Sequence, residues 1–187
     1  EGVIGTLEHV QAINNVSYGA NYFKSWYRDY DETGGLWLQK ATHDLDYINY
    51  IVGQDPVMIM AMESQRVFGR RKPAGLTCDA CDELETCPES PYADFFPKLK
   101  VEQYIPAKRP CAFSKEIDPR YADNHSALVE YRNGLQANYS QNFFVAGAAG
   151  CRGATLIGYK GSIQFDWNTG KVRVAHHHRS RVDTLDF

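Results

Sequence analysis

From Glu8 to Tyr18 the chain alternates, with Val10, Ala12, Val16 and Tyr18 on one side and mostly His, Gln, Asn and Ser on the other. A period of two marks a strand with one face buried. Between Leu36 and Val52 the period lengthens, and Leu38, Ala41, Leu45, Ile48 and Val52 recur at steps of three and four. That stripe predicts an amphipathic helix, with Thr33 as its N-cap and Gly53 as the glycine that ends it. Gln39, Lys40, His43, Asp46 and Tyr47 fall on its other face. Past Pro56, the run Val57–Met62 reads as an apolar strand. Alternation returns in the last third, where Ala127, Val129 and Tyr131 are followed by Leu135, Ala137, Tyr139 and Phe143. Asn133-Gly134 separates these two runs and predicts a tight hairpin with both turn residues at positive φ. Strands are also expected at Ala154–Tyr159, Ser162–Trp167 and Lys171–His176. Together these elements predict an α+β fold, an open and largely antiparallel β-sheet with helix packed on one face.

One stretch, Gly69 to Asn124, has neither period and holds most of the eight prolines. A loop insertion of that length needs something to hold it. Cys78-x2-Cys81-x5-Cys87 lies inside it in an acidic run, with Cys111 further on. Four thiolates within reach of one another suit a tetrahedral structural zinc, and free thiols or a single disulfide are the alternatives.

Composition narrows the classes. The 187 residues are 43% hydrophobic and carry 24 aromatics (12 Tyr, 9 Phe, 3 Trp), enough for a packed core and against disorder. A net charge of −3 gives no basic field for nucleic acid. No apolar run approaches the roughly 18 residues of a membrane span, and no basic leader precedes an apolar core, so a cytoplasmic protein is expected. The chain begins at Glu1 without a Met and is expected to be trimmed or a fragment.

Chemistry concentrates before and on the helix. Gln39, His43, Asp46 and Tyr50 project together at helical spacing, with Lys40 beside them. A histidine can exchange protons near neutral pH, and a lysine one turn away can orient an oxygen. The bland alternative is a solvated face with Lys40 and Asp44 paired. In the connector, Trp26 and Arg28 suit a hydroxylated or anionic ligand, or else an aromatic packing cluster. Neither G-x-G-x-x-G nor a phosphate-binding G-x-x-x-x-G-K-[ST] occurs.

Gly34-Gly35, then Lys40, His43, Asp44 and Asp46, then Gly53 resemble the substrate-domain helix of the Gfo/Idh/MocA oxidoreductases. W-x-R at Trp26/Arg28, C-x2-C-x5-C-P at Cys78 to Pro88 and Gly158-Tyr159-Lys160-Gly161-Ser162-Ile163 are similar to motifs of that family or a subgroup of it. The resemblance implies a C-terminal substrate-binding and oligomerisation domain over residues 1–187, with the loop insertion at about 69–124. A Rossmann domain binding NAD or NADP would precede it. It further implies a sugar, inositol or similar polyol substrate, with His43 and Lys40 catalytic and Trp26, Arg28, Gln39 and Asp46 around the ligand. Gln39 stands where the family has an aspartate and cannot act as a base. A non-catalytic sugar-binding homologue and a zinc-stapled interaction module are the alternatives. The sheet face carrying Leu135–Phe143 and Ser162–Trp167 is expected to be apolar enough to form a homodimer or homotetramer.

Overall fold

The computed structural model describes residues 2–90, 108–177 and 180–187. Eight strands form one sheet: β1 (Leu7–Asn15), β2 (Pro56–Ser64), β3 (Asn124–Tyr131), β4 (Gln136–Asn142), β5 (Cys151–Gly158), β6 (Gly161–Asp166), β7 (Lys171–His176) and β8 (Val182–Asp186). Their order is β2-β3-β4-β1-β5-β6-β7-β8. All neighbours are antiparallel except β1 and β4. Because β4 and β5 run in opposite directions on either side of β1, one of the two pairings of β1 is parallel.

The expected hairpin forms between β3 and β4, but with a different turn. The Tyr131 N–H donates to the Leu135 carbonyl and the Gly134 N–H to that of Tyr131, which encloses three residues rather than two. Only Gly134 takes positive φ, at 84°. The Asn133 side chain instead accepts the Leu135 N–H. A three-residue loop ending in a left-handed glycine is the next most common way to close a hairpin.

The helical segment occupies the expected stretch but is not uniform, and its cap differs. Asp29, not Thr33, is a cap: its carboxylate accepts the N–H groups of Asp31 and Glu32 and opens the four-residue α1 (Tyr30–Thr33). Thr33 is the last residue of that turn, buried, with its hydroxyl donating to the Asp29 carbonyl at 2.7 Å. A π-helical turn at Trp37–Ala41 then leads into α2 (Thr42–Val52), which Gly53 ends at φ 64° as expected. The wider π turn holds one extra residue, so positions before Thr42 are rotated from where a 3.6-residue period puts them. Ala41 and Ile48 are buried against the sheet, whereas Leu38 is left 62% exposed.

Helix α2 covers one face of the sheet, where Val10, Ala12, Val129, Tyr131, Ala137, Tyr139 and Ala154 form the core with Ala41 and Ile48. The strand aromatics belong to this side: Phe165 packs on that core with its ring 6.0 Å from Tyr47, and Phe143 is buried beside Tyr22. This corrects the expected apolar face. By alternation, the opposite face presents Gln11, Ser126, Asn138, Ser140, Thr155 and Gln164. Its most exposed apolar residues are Met58, Met60, Met62 and Leu128, all more than half exposed.

The central part of the expected insertion, residues 91–107, lies outside the described residues. The described flanks are tied down by ordinary means. Phe68, Ala112, Ile117 and Tyr121 join Phe23 in a second core. The buried Asp123 carboxylate accepts the backbone N–H groups of Arg66, Val67 and Phe68 at 2.7–2.8 Å. Isolated bridges join Thr77 to Pro110 and Lys72 to Ser114. No described helix is long and apolar enough to cross a membrane.

Candidate functional site

Just beyond β1 the backbone turns sharply through Gly19, where even a Cβ would come within 1.8 Å of the Phe143 carbonyl oxygen. This tight approach sets Tyr18 and Tyr22 beside the π-helical turn. The Lys40 ammonium lies 5.7 Å from the centre of the Tyr18 ring, 5.3 Å from that of Tyr22 and 3.5 Å from the Tyr18 hydroxyl. Partial burial lowers the Lys40 pKa, but hydrogen bonding and charge attraction to Tyr22, and then to Tyr18, outweigh it and raise the value overall. Tyr22 is raised mainly by burial, partly offset by Lys40. Lys40 is therefore a fixed, charged donor.

Rings continue outward from this cage. Tyr22 lies 5.0 Å from Tyr27, and Trp26 stacks on Tyr27 at 4.1 Å with 25° between planes. Trp26 remains 64% exposed. An exposed indole resting on a second ring is a surface on which the apolar face of a sugar can lie.

The other predicted site residues divide into two groups. His43 and Asp46 face outward on α2 and are exposed, so His43 is accessible at the turn after Lys40. Gln39 is half-buried, with its amide donating to the Thr33 carbonyl at 3.4 Å. Arg28, in contrast, turns to Glu116, which also accepts the Gly75 N–H. Arg28 therefore links the connector to the cysteine-rich region, while Trp26 extends the Lys40 cage.

Sequence reasoning missed Asp44. It does not pair with Lys40 but points inward and is fully buried. The carboxylate receives Asn14 and the Tyr139 hydroxyl at 2.7 Å, and Arg152 through Nε at 2.8 Å and a terminal nitrogen at 2.7 Å. The Arg152 guanidinium also lies 4.9 Å from the Trp167 ring centre. Burial, then the charge of Asp44, pushes the Tyr139 hydroxyl far above its ordinary pKa, so it stays a donor. The signal was present, since Asp44 follows Ala41 by three and lies on the buried stripe. Tyr22 carried no such signal, because a connector has no period, and the alternation assigned Tyr18 to the strand.

The zinc expectation is not met. Among the described residues no group of three or more His, Cys, Asp or Glu is arranged to hold a metal ion. Cys78, Cys81, Cys87 and Cys111 are free thiols, and burial pushes the pKa values of Cys78 and Cys111 up. The cores and backbone bonds above do the work that metal was expected to do.

Solved structures share this eight-stranded open sheet covered by one helix. The chain superposes over its full length on levoglucosan dehydrogenase in complex with NADH and levoglucosan, with a TM-score of 0.64 at 16% identity. It superposes equally completely on an oxidoreductase domain protein from Kribbella flavida, with a TM-score of 0.62 at 18% identity. UDP-N-acetylglucosamine 3-dehydrogenase GnnA from Acidithiobacillus ferrooxidans matches over 97% of the chain, with a TM-score of 0.55 at 14% identity. Residues 1–183 match the family model described as "Oxidoreductase family, C-terminal alpha/beta domain". The chain belongs to this family, the Gfo/Idh/MocA oxidoreductases. In sequence it is 32% identical, over 79% of its length, to YteT of Bacillus subtilis (strain 168), which carries the name of an oxidoreductase. It spans 38% of YteT and 39–42% of the three structures.

Proposed function

We propose that this chain is the substrate-facing domain of a nicotinamide-dependent dehydrogenase acting on a sugar or polyol. One observation carries the reading. A lysine cation lies over two neighbouring tyrosine rings, with an accessible histidine at the next helical turn and an exposed Trp–Tyr stack leading away. Structural neighbours that bind NADH together with levoglucosan or L-sorbose support it.

The roles follow from the groups. The apolar face of the sugar lies on Trp26. Lys40 donates to the hydroxyl oxygen at the reacting carbon and fixes its position. His43 takes the hydroxyl proton as the carbon–oxygen bond becomes a carbonyl, and returns it in reduction. Gln39, a neutral amide, supplies a hydrogen bond but no proton, so the proton transfer falls on His43 alone. Asp46 borders the ligand on the same helical face. NAD or NADP, when bound, accepts or supplies the hydride. This sequence has no glycine-rich dinucleotide turn to hold its phosphates, so the holding residues belong to the rest of the protein. Met58, Met60, Met62 and Leu128 form the apolar patch through which two copies would pair.

The test is steady-state kinetics on the full-length protein that contains this chain, with a sugar panel and both cofactors. His43→Ala is expected to lower kcat by about 10²–10⁴, the worth of a positioned acid–base group, with a small change in KM. Wild-type kinetics in that variant would overturn the reading. Should the parent bind sugars yet fail to reduce either cofactor, a binding-only homologue is the correct class.

A further inference from the structure

A second cavity, about 650 Å³, lies outside the Lys40 cage between the cysteine-rich region and the segment after β4. Its volume falls within the roughly 300–1,000 Å³ of small-molecule sites. Arg71, Lys72, Glu83, Glu89, Phe113 and Phe144 supply its chemistry. The two sites are neighbours through two links. Lys24, two residues before Trp26, donates to the Glu89 carbonyl and lies 3.3 Å from its carboxylate. Phe143 meets Tyr22 at 5.4 Å, while the next residue, Phe144, lines the cavity.

The charges of this cavity are unevenly spent. Lys72 is held by Asp82 at 3.1 Å and Glu83 at 2.7 Å. Arg71 meets no carboxylate among the described residues. Its guanidinium lies 4.9 Å from the Phe113 ring centre and gives one bond to the Val67 carbonyl. A guanidinium has five donors, so most remain open to a ligand. Glu89, paired with Lys24, and Glu83, which shares Lys72 with Asp82, keep oxygen lone pairs that can accept from hydroxyls. Phe144 is 38% exposed and adds an apolar surface. Donors, lysine-paired acceptors and an open ring around one hollow suit a hydroxyl-rich ring better than a strongly anionic or a wholly apolar molecule.

We propose that this cavity is a second sugar subsite, occupied by the glycosyl unit adjoining the one held at Lys40. The substrate class is then a disaccharide or larger glycoside rather than a free monosaccharide. The inference rests on the proposed function for the location of the first sugar. Phe144 would pack on the C–H face of the added unit, Arg71 would donate to its oxygens, and Glu89 would accept from a hydroxyl.

The experiment measures binding to the full-length protein by calorimetry, using glucose, galactose and galacturonic acid against cellobiose, lactose and digalacturonic acid. At least one disaccharide is expected to bind tenfold or more tighter than its monosaccharide. Phe144→Ala and Arg71→Ala, both changes at accessible side chains, are expected to erase that gain while leaving monosaccharide affinity unchanged. No disaccharide advantage, or an advantage that survives both variants, overturns the proposal. A preserved advantage in a protein that reduces neither NAD nor NADP would sink the dehydrogenase reading and leave the second subsite standing.

Discussion

Asp44 shows how much one buried carboxylate can decide. It joins α2 to β1 through Asn14, to β4 through Tyr139 and to β5 through Arg152. Asp44→Ala strands a partly buried guanidinium, removes the Asn14 acceptor and leaves the Tyr139 hydroxyl only Gln141. The expected cost is about 3–5 kcal/mol in urea unfolding. A loss below about 1 kcal/mol would show that the pair is not what fixes the helix. His125 is a second buried polar residue, packed by the rings of Trp37 at 5.0 Å and Phe143 at 6.0 Å. Burial pushes its pKa down from 6.5 to about 4, even with the half-exposed Glu63 carboxylate 3.7 Å away. The unfolded chain therefore takes up this proton near pH 6.5 and the folded chain only near 4. Stability from the neutral ring is complete above pH 6.5 and falls as the pH drops toward 4, by about 2 kcal/mol at pH 4.5. Comparing denaturation at pH 7 and 4.5 should show that loss, and His125→Gln should remove most of it. A variant with an unchanged pH dependence would contradict the assignment.

Elements were legible where a period ran long enough to be counted. The alternation in β1, β3 and β4 and the terminator at Gly53 could all be read from residues. The change of pitch at the start of the helix could not. A π-helical turn at Trp37–Ala41 leaves no periodic trace, yet it decides that Leu38 is exposed and where Lys40 lies relative to His43. Tyr18 was assigned to a strand on alternation, whereas β1 ends at Asn15 and Tyr18 belongs to the Lys40 cage. The short β8 (Val182–Asp186) was not among the predicted strands, because its five residues show no clear alternation. Gly19 tests whether the connector geometry creates the site. Gly19→Ala must move either the Tyr18–Tyr22 segment or the Phe143 backbone. Unfolding temperature should fall by several degrees, as expected for a change of 1 kcal/mol or more. The fluorescence of Trp26 should change as well. A variant matching its parent in both would mean that the contact is easily relieved.

At the scale of the whole molecule, the chain is about two fifths the length of its relatives. On the proposed reading its own residues hold and deprotonate a sugar, and hydride exchange would draw on a cofactor site elsewhere in the full-length protein. The sheet surface was misread from sequence because strand aromatics look alike whichever side they face. Register puts Tyr139 and Phe165 under the helix and leaves an apolar edge at Met58, Met60 and Met62. Pairing of two copies through that edge predicts a dimer in sedimentation analysis, and Met60→Lys should shift it to monomer. A monomeric parent, or a dimer indifferent to this change, would refute the pairing.

The most direct measurement follows one hydrogen. A sugar deuterated at the reacting carbon is mixed with the full-length protein and oxidised cofactor, and the reduced nicotinamide is weighed by mass spectrometry. The account predicts that deuterium reaches the cofactor in the parent and that Lys40→Met slows its arrival at least a hundredfold. Reduced cofactor without the label, or labelling at the parent rate in the variant, would contradict it.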